Sequence, residues 1–360
     1  MNLLVYYQFV ILISSLFMKK EYDIEDWIEL INSSNMDDNG KKEKIFFVKK
    51  AYENNVPVIF DLGHLALLLG LKVSILTNMI RKPISYYRRF TIPKRSGGRR
   101  EIVTPQKSLL EAQKWICKNI LNTFEIHNAA YAYVINRNVA QNARIHIGSR
   151  EMLKIDLKEF FPSINIKRVR ELFNRKGYSI EIAGYLSYLC CLEGKIPQGS
   201  GSSPTISNII LNNLDKRISK FCVNQKVQYS RYADDLTFSG SEIPNGFEEF
   251  VITIIQNEGF SVNDKKLKFY SKNHRKLVTG ILVTENEIRL QKSVRREIEF
   301  QVHYLLKFGV LDQIERYNDI YYTDRILGRL GYWRQIEPKN QYVLNSIKQI
   351  NLMQKELTTS

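Results

Sequence analysis

Cysteine is scarce in this chain, and long apolar runs are missing from its interior. Four Cys in 360 residues cannot make the dense cross-links of a disulfide scaffold. Mean hydropathy is −0.28. No internal stretch approaches the roughly 20 apolar residues of a spanning helix, which excludes a polytopic membrane protein. Acidic residues are also in short supply: 37 Asp and Glu face 53 Lys and Arg, a formal charge of +16. That excess points to a polyanionic partner, nucleic acid first and an anionic membrane surface second. What the chain does hold is apolar substance. Hydrophobic residues make up 44%, with 18 Phe and 20 Tyr, so intrinsic disorder is excluded and the length suffices for two or three cores.

The positive charge is concentrated. Residues 81–100 hold eight Lys or Arg and no acid. Tyr86, Tyr87 and Phe90 lie among them, so bases can stack where phosphates are neutralised. A solvated basic face is the plainer alternative. Cys117, Cys190, Cys191 and Cys222 have no CxxC spacing, and the adjacent pair sits among Tyr188, Leu189 and Leu192. They read as buried, reduced thiols of a reducing compartment, hence the cytoplasm. Residues 1–17 are apolar from Leu3 to Phe17 but lack the positive lead and the cleavage pattern of a secretory signal. Met18 opens an ordinary polar start. Either it is the working initiator, or residues 1–17 form an extra packed or frayed segment.

Helical spacing marks residues 18–80 through Ile24, Trp27, Ile28 and Ile31, then Leu65, Leu68 and Leu69, then Val73, Leu76 and Ile80. A polar loop with Gly40 is expected over residues 32–42. At 89–103 the texture changes. Phe90, Ile92 and Pro93 precede Ser96-Gly97-Gly98, and Ile102-Val103 follow, a glycine-turned hairpin with basic flanks. Residues 109–121 form an amphipathic helix through Leu110, Gln113, Trp115 and Ile116. Leu153, Ile155 and Leu157 alternate with Lys154 and Asp156, a strand with Asp156 on its polar face. Helices are expected over Ile166–Phe173 and from Pro204, the latter capped by Ser203. Val227–Tyr229 and Leu236–Phe238 flank Tyr232-Ala233-Asp234-Asp235, a hairpin with two acids at its tip. A helix at 247–257, strands at 266–270 and 276–283, and basic, Tyr-rich helices over 290–355 complete the chain. The alternation predicts an α+β fold with helices on one face of an antiparallel sheet. It divides into the apolar segment 1–17, a helical region 18–80, a mixed region 81–285 and a basic helical region 286–360.

Two neighbouring strands would bring Asp156 beside Asp234 and Asp235. Three converging carboxylates repel one another unless a cation lies between them. Oxygen donors with no nearby His or Cys select Mg²⁺, and the Leu157 carbonyl adds one more oxygen. Two Mg²⁺ ions about 4 Å apart activate a hydroxyl nucleophile and stabilise a leaving pyrophosphate. An isolated Asp-Asp pair at a turn is as readily a turn residue bonded to its own backbone. Lys94, Arg95, Arg99 and Arg100 flank the glycine turn in a flap suited to a triphosphate. Gln198-Gly199 opens a second glycine loop, either a nucleotide-lining loop or an ordinary turn. Phe161 is suited to exclude a ribose 2′ hydroxyl or to pack in the core.

In this order the motifs resemble those of reverse transcriptases. Asp156 with Phe160-Phe161-Pro162-Ser163-Ile164 resembles their first catalytic motif. Ile196-Pro197-Gln198-Gly199 with Ser203-Pro204 and Ser207-Asn208 resembles the second. Tyr232-Ala233-Asp234-Asp235 matches the signature, and Asn263 with Lys266 resembles the next. Asn142-Ala143-Arg144-Ile145-His146 and Val278-Thr279-Gly280 resemble two elements that mark bacterial retron reverse transcriptases. Tyr131-Ala132-Tyr133 and Thr284 depart from that family's usual His-Gly-Phe and Asn. The resemblance spans residues 80–355.

This resemblance implies a right-hand polymerase of fingers, palm and thumb, with an antiparallel palm sheet and a helical thumb. It implies an RNA-directed DNA polymerase in which Asp156, Asp234 and Asp235 are catalytic and, with Leu157, hold two Mg²⁺. Lys94, Arg100, Phe161, Gln198, Gly199 and Lys266 would meet the deoxynucleoside triphosphate. Asn142, His146, Val278, Thr279, Gly280, Arg295 and Arg296 would meet RNA, with Lys292 and Lys307 as further candidates. The implied product is a branched RNA–DNA (multicopy single-stranded DNA, msDNA), copied from a cognate non-coding RNA and primed from an internal guanosine 2′ hydroxyl. A separate effector protein, a role in anti-phage defence and no membrane association are also implied. A group II intron or CRISPR-associated reverse transcriptase is one alternative. A polymerase-like RNA-binding assembly protein is another, and the intact Asp156, Asp234 and Asp235 weigh against it.

Overall fold

The computed structural model describes residues 24–93 and 97–359, with side chains as far as Glu356. The readings of residues 1–17, Met18, Lys94, Arg95 and Ser96 lie outside the described residues. Four helices come first: α1 (Ile24–Asn32), α2 (Asp38–Glu53), α3 (Leu62–Leu68) and α4 (Val73–Arg81). Their apolar stripes bury Trp27 and Ile31, Val48 and Ala51, Leu65, Leu76 and Met79. The loop expected over 32–42 is shorter than that, because α2 already starts at Asp38. Gly40 is tolerated there because it stands in the first turn, where amide groups have no intrahelical partner to lose.

Strands β1 (Tyr87–Pro93) and β2 (Arg99–Pro105) pair antiparallel, from Tyr87 opposite Pro105 to Pro93 opposite Arg99. Both prolines stand at strand ends, where a missing N–H interrupts no ladder. Helix α5 (Lys107–Asn119) buries Leu109, Ala112, Gln113 and Ile116. Next come α6 (Val139–Arg144), β3 (Glu151–Asp156), α7 (Ile166–Arg175), α8 (Ile180–Cys190), α9 (Ser203–Ile210) and α10 (Asn212–Asn224). Ser203 is the first residue of α9 rather than its cap, and its hydroxyl donates to the Pro197 carbonyl at 2.8 Å. The hairpin β4 (Gln228–Tyr232) and β5 (Asp235–Gly240) precedes α11 (Phe247–Asn257) and β6 (Lys268–Tyr270). The strand expected over 276–283 is two strands, β7 (Lys276–Val278) and β8 (Ile281–Val283), followed by β9 (Ile288–Arg289). The fold-back is at Thr279-Gly280, whose φ values of +48° and +85° are those a two-residue hairpin turn demands. Helices α12 (Lys292–Phe308), α13 (Val310–Tyr317), α14 (Tyr322–Ile336) and α15 (Gln341–Thr359) close the chain.

The chain forms two compact units, and the 81–285 stretch is shared between them. One holds the residues up to His127 with Lys158–Asp215; the other holds Asn128–Leu157 with Lys216 onward. In the second unit a four-stranded antiparallel sheet has the order β4-β5-β3-β6. The β7-β8-β9 sheet and helices α12, α14 and α15 enclose a core of Val278, Ile281, Ile298, Val302, Leu305, Ile326, Leu330 and Trp333. Met152 of β3 belongs to this core. It breaks the strand's alternation, since it is buried on the face that carries Lys154 and Asp156.

Cys190, Cys191 and Cys222 are buried and free, whereas Cys117 is only half-buried, which corrects its reading as a buried thiol. Burial raises all three buried thiols, Cys191 and Cys222 to about 12, so they stay protonated. Among the described residues no single helix is long and apolar enough to cross a membrane.

Candidate active site

The register of β3 against β5 sets Asp156 directly opposite Asp235. Facing residues of an antiparallel pair stand within about 5.5 Å at Cα, so side chains on one face meet. The β4–β5 hairpin turns through Ala233-Asp234, with Tyr232 opposite Asp235. Asp235 therefore opens β5, and only Asp234 occupies the tip where both acids were expected. Ala233 takes a left-handed φ of +57°. The guanidinium of Arg231, which has no exposed surface, donates to the Ala233 carbonyl at 3.1 Å. The backbone of Arg231 is itself held on both sides, by the Ala129 carbonyl at 2.7 Å and the Tyr131 N–H at 2.8 Å. The Leu157 N–H donates to the Asp234 carbonyl at 2.9 Å, tying the tip to the end of β3.

Each β-strand acid then has its own cation. Lys266 Nζ donates to Asp156 Oδ2 at 2.7 Å, and Lys154 Nζ to Asp235 Oδ2 at 2.8 Å. Asn263 fixes Asp156 twice, by its N–H to the Asp156 carbonyl at 2.8 Å and by its side-chain amide to Oδ1 at 3.2 Å. Burial pushes the Asp234 carboxyl above the ordinary carboxylate range, and the charge of Asp156 pushes it further. Burial also raises Asp235, against the pull of Lys154. Buried, mutually repelling carboxylates are stabilised by added positive charge.

The donor set fits Mg²⁺ in kind: oxygens only, from carboxylates and the Leu157 carbonyl, with no His or Cys among them. Among the described residues no group of three or more His, Cys, Asp or Glu side chains is already gathered as for a metal. Asp156 and Asp235 are paired instead with Lys266 and Lys154. Lys154 and Arg231 went unread as site residues in the sequence. Lys154 had a signal, lying two residues before Asp156 and hence on the same strand face.

In the first unit, Arg100 of β2 is exposed, and Phe161 is half-buried with its ring 5.0 Å from that of Phe160. The Gln198 carbonyl accepts the Val103 N–H at 2.8 Å. Gly199 has φ +118°, and a Cβ there would stand 2.9 Å from both Ile102 Cγ2 and the Val103 carbonyl oxygen, so only glycine fits.

The RNA-contacting set divides. His146 has no exposed surface and spans two serines, Nδ1 at 2.7 Å from Ser239 Oγ and Nε2 at 2.7 Å from Ser230 Oγ. It braces β4 to β5, and burial lowers it to about 3, so it is neutral. Asn142 and Val278 are also buried. The side chains of all three are enclosed by protein. Thr279 is half-buried, Gly280 and Arg296 are exposed, and Arg295 pairs with Glu299 at 3.6 Å.

The family profile for reverse transcriptase (RNA-dependent DNA polymerase) matches residues 92–303. Retron Ec86 reverse transcriptase of Escherichia coli is 30% identical over 254 residues, covering 69% of this chain and 79% of its own. Retron Ec83 reverse transcriptase of Escherichia coli is 32% identical over 273 residues, covering 71% and 85%. Among solved structures, a telomerase from Candida albicans aligns at TM-score 0.42 and 15% identity over 73% of this chain and 63% of that one, a likeness that adds nothing to the assignment. The fold class is that of a right-hand polymerase with an antiparallel palm sheet and a helical thumb. The chain belongs to the reverse transcriptases, RNA-directed DNA polymerases, and among them to the retron enzymes.

Proposed function

We propose that this enzyme copies its own structured non-coding RNA, starting from the 2′ hydroxyl of an internal guanosine, into branched RNA–DNA (msDNA). The observation that carries the reading is the β3–β5 register, which sets Asp156 opposite Asp235 beside the Asp234 tip, in a chain of the retron family. Asp156, Asp234 and Asp235, with the Leu157 carbonyl, are the residues that would hold two Mg²⁺. When bound, the ions supply activation of the attacking hydroxyl and neutralisation of the leaving pyrophosphate. The chain's own residues prepare that site. Asn263 holds the Asp156 carboxylate, while Lys266 and Lys154 pair with Asp156 and Asp235 until a stronger cation arrives. Lys94, Arg100 and Lys266 take the charge of the triphosphate. Gln198 and Gly199 present amide groups to the nucleotide, and Phe161 excludes a ribose 2′ hydroxyl. Thr279, Gly280, Arg295 and Arg296 meet the RNA. The enzyme works in the cytoplasm, bound to no membrane, beside a separate effector protein in defence against phage.

The test is direct. Nucleic acid that co-purifies with the protein is treated with ribonuclease and then with debranching enzyme. A short DNA that survives ribonuclease and shifts in mobility on debranching is expected. Linear DNA without a branch, or none at all, overturns the reading.

A further inference from the structure

Gln113 of α5 has no exposed surface, yet its side chain makes all four hydrogen bonds that an amide can make. Nε2 donates to Tyr87 Oη at 3.0 Å and to the Leu189 carbonyl at 2.9 Å. Oε1 accepts from Ser200 Oγ at 2.9 Å and from the Gly201 N–H at 3.0 Å. The donor half is anchored on β1 and the end of α8, and the acceptor half grips the loop that follows Gln198-Gly199. From the other side β2 holds that loop, through Val103 N–H to the Gln198 carbonyl and through the absence of room for a Cβ at 199. Packing alone does not call for an amide here, since an apolar side chain would fill the helix stripe with no polar group to satisfy. The loop is thus clamped between a strand and a fully satisfied buried amide.

We infer that Gln113 is a positioning residue for the incoming nucleotide: by fixing Ser200 and Gly201 it sets the path of Gln198 and Gly199. The inference rests on the reading that those two residues meet the nucleotide. Its test is steady-state incorporation by the full chain on a primed RNA template. Gln113→Met keeps the volume and removes all four bonds. Its KM for the deoxynucleotide is expected to rise about tenfold, with kcat within about threefold of wild type and RNA affinity unchanged. A fall in kcat with KM unchanged overturns the inference, because it marks a merely structural role. Gln198→Ala runs in parallel. If it raises KM and Gln113→Met does not, the inference is overturned while the nucleotide reading stands. If neither moves KM, the nucleotide reading fails and the inference falls with it. Should Gln113→Met not fold, Ser200→Ala removes one of the two loop-side bonds to Gln113, along with the Ser200 hydroxyl's bonds to Ser202, and leaves the Gly201 N–H bond in place. A KM rise of about threefold is then expected, and an unchanged KM overturns the inference.

Discussion

In the palm, the turn that carries Asp234 is held in a setting of charge. Lys154 and Lys266 lie 2.8 and 2.7 Å from Asp235 and Asp156, and the buried guanidinium of Arg231 holds the Ala233 carbonyl. In the first unit, the loop from Gln198 to Ser202 is held by neutral groups, the amide of Gln113 and the backbone of β2. The contrast follows from what each segment must do. Carboxylates that serve a cation need partners that can let go, and Lys266 keeps 55% of its side chain in solvent. A loop that, on the proposed reading, meets the nucleotide needs a partner that does not let go, and the buried Gln113 amide that holds it makes all four of its hydrogen bonds.

The contrast breaks most sharply at the acids. Asp234→Asn with Asp235→Asn is expected to cut DNA synthesis by on the order of a thousandfold while RNA affinity stays within about twofold, read by primer extension and filter binding. On the neutral side, Gly199→Ala drives a Cβ into the β2 backbone and is expected to cost about 2 kcal/mol in urea unfolding. A smaller effect separates the units by pH. Burial holds His146 at about 3 and His64 at about 4, below the ordinary 6.5. Because the folded values are depressed, their stabilisation is present above pH 6.5 and is lost as pH falls, by roughly 1 kcal/mol per pH unit for each His. Urea unfolding between pH 7 and 5 measures that slope, and His146→Gln should remove its share. The smallest effect is a gain. The Asp234 carboxyl is raised, so its neutral form is favoured in the fold and its ionisation near pH 7 costs stability. Asp234→Asn alone should raise the melting temperature by about 1–3 °C, measured by calorimetry.

The acids were legible because a strand and a hairpin announce themselves through alternation, and because the motifs stand in order along the chain. Helix α11 was legible end to end, from Phe247 to Asn257. What escaped was the fate of polar residues whose partners lie far off in sequence. His146 looked like a ligand-contacting residue, but its partners Ser230 and Ser239 lie 84 and 93 residues away and enclose it. Gln113 passed as one position in an amphipathic stripe, while three of its partners lie 76 to 88 residues further on. Helix α8 escaped because it is apolar on nearly every side, which erases the periodic signal. Register escaped as well: alternation placed Asp156 on a face, but only the sheet could place it opposite Asp235.

The contact of Ile102 with Gly199 has an engineering consequence. A methyl group of β2 fills the space a Cβ would need at residue 199, in a loop that, on the proposed reading, inspects each nucleotide. Trimming Ile102 to Ala removes that methyl and gives the loop slack, while every atom expected to touch substrate stays in place. On the proposed reading copying accuracy then becomes adjustable from a residue behind the loop, and the misincorporation frequency of Ile102→Ala is its readout.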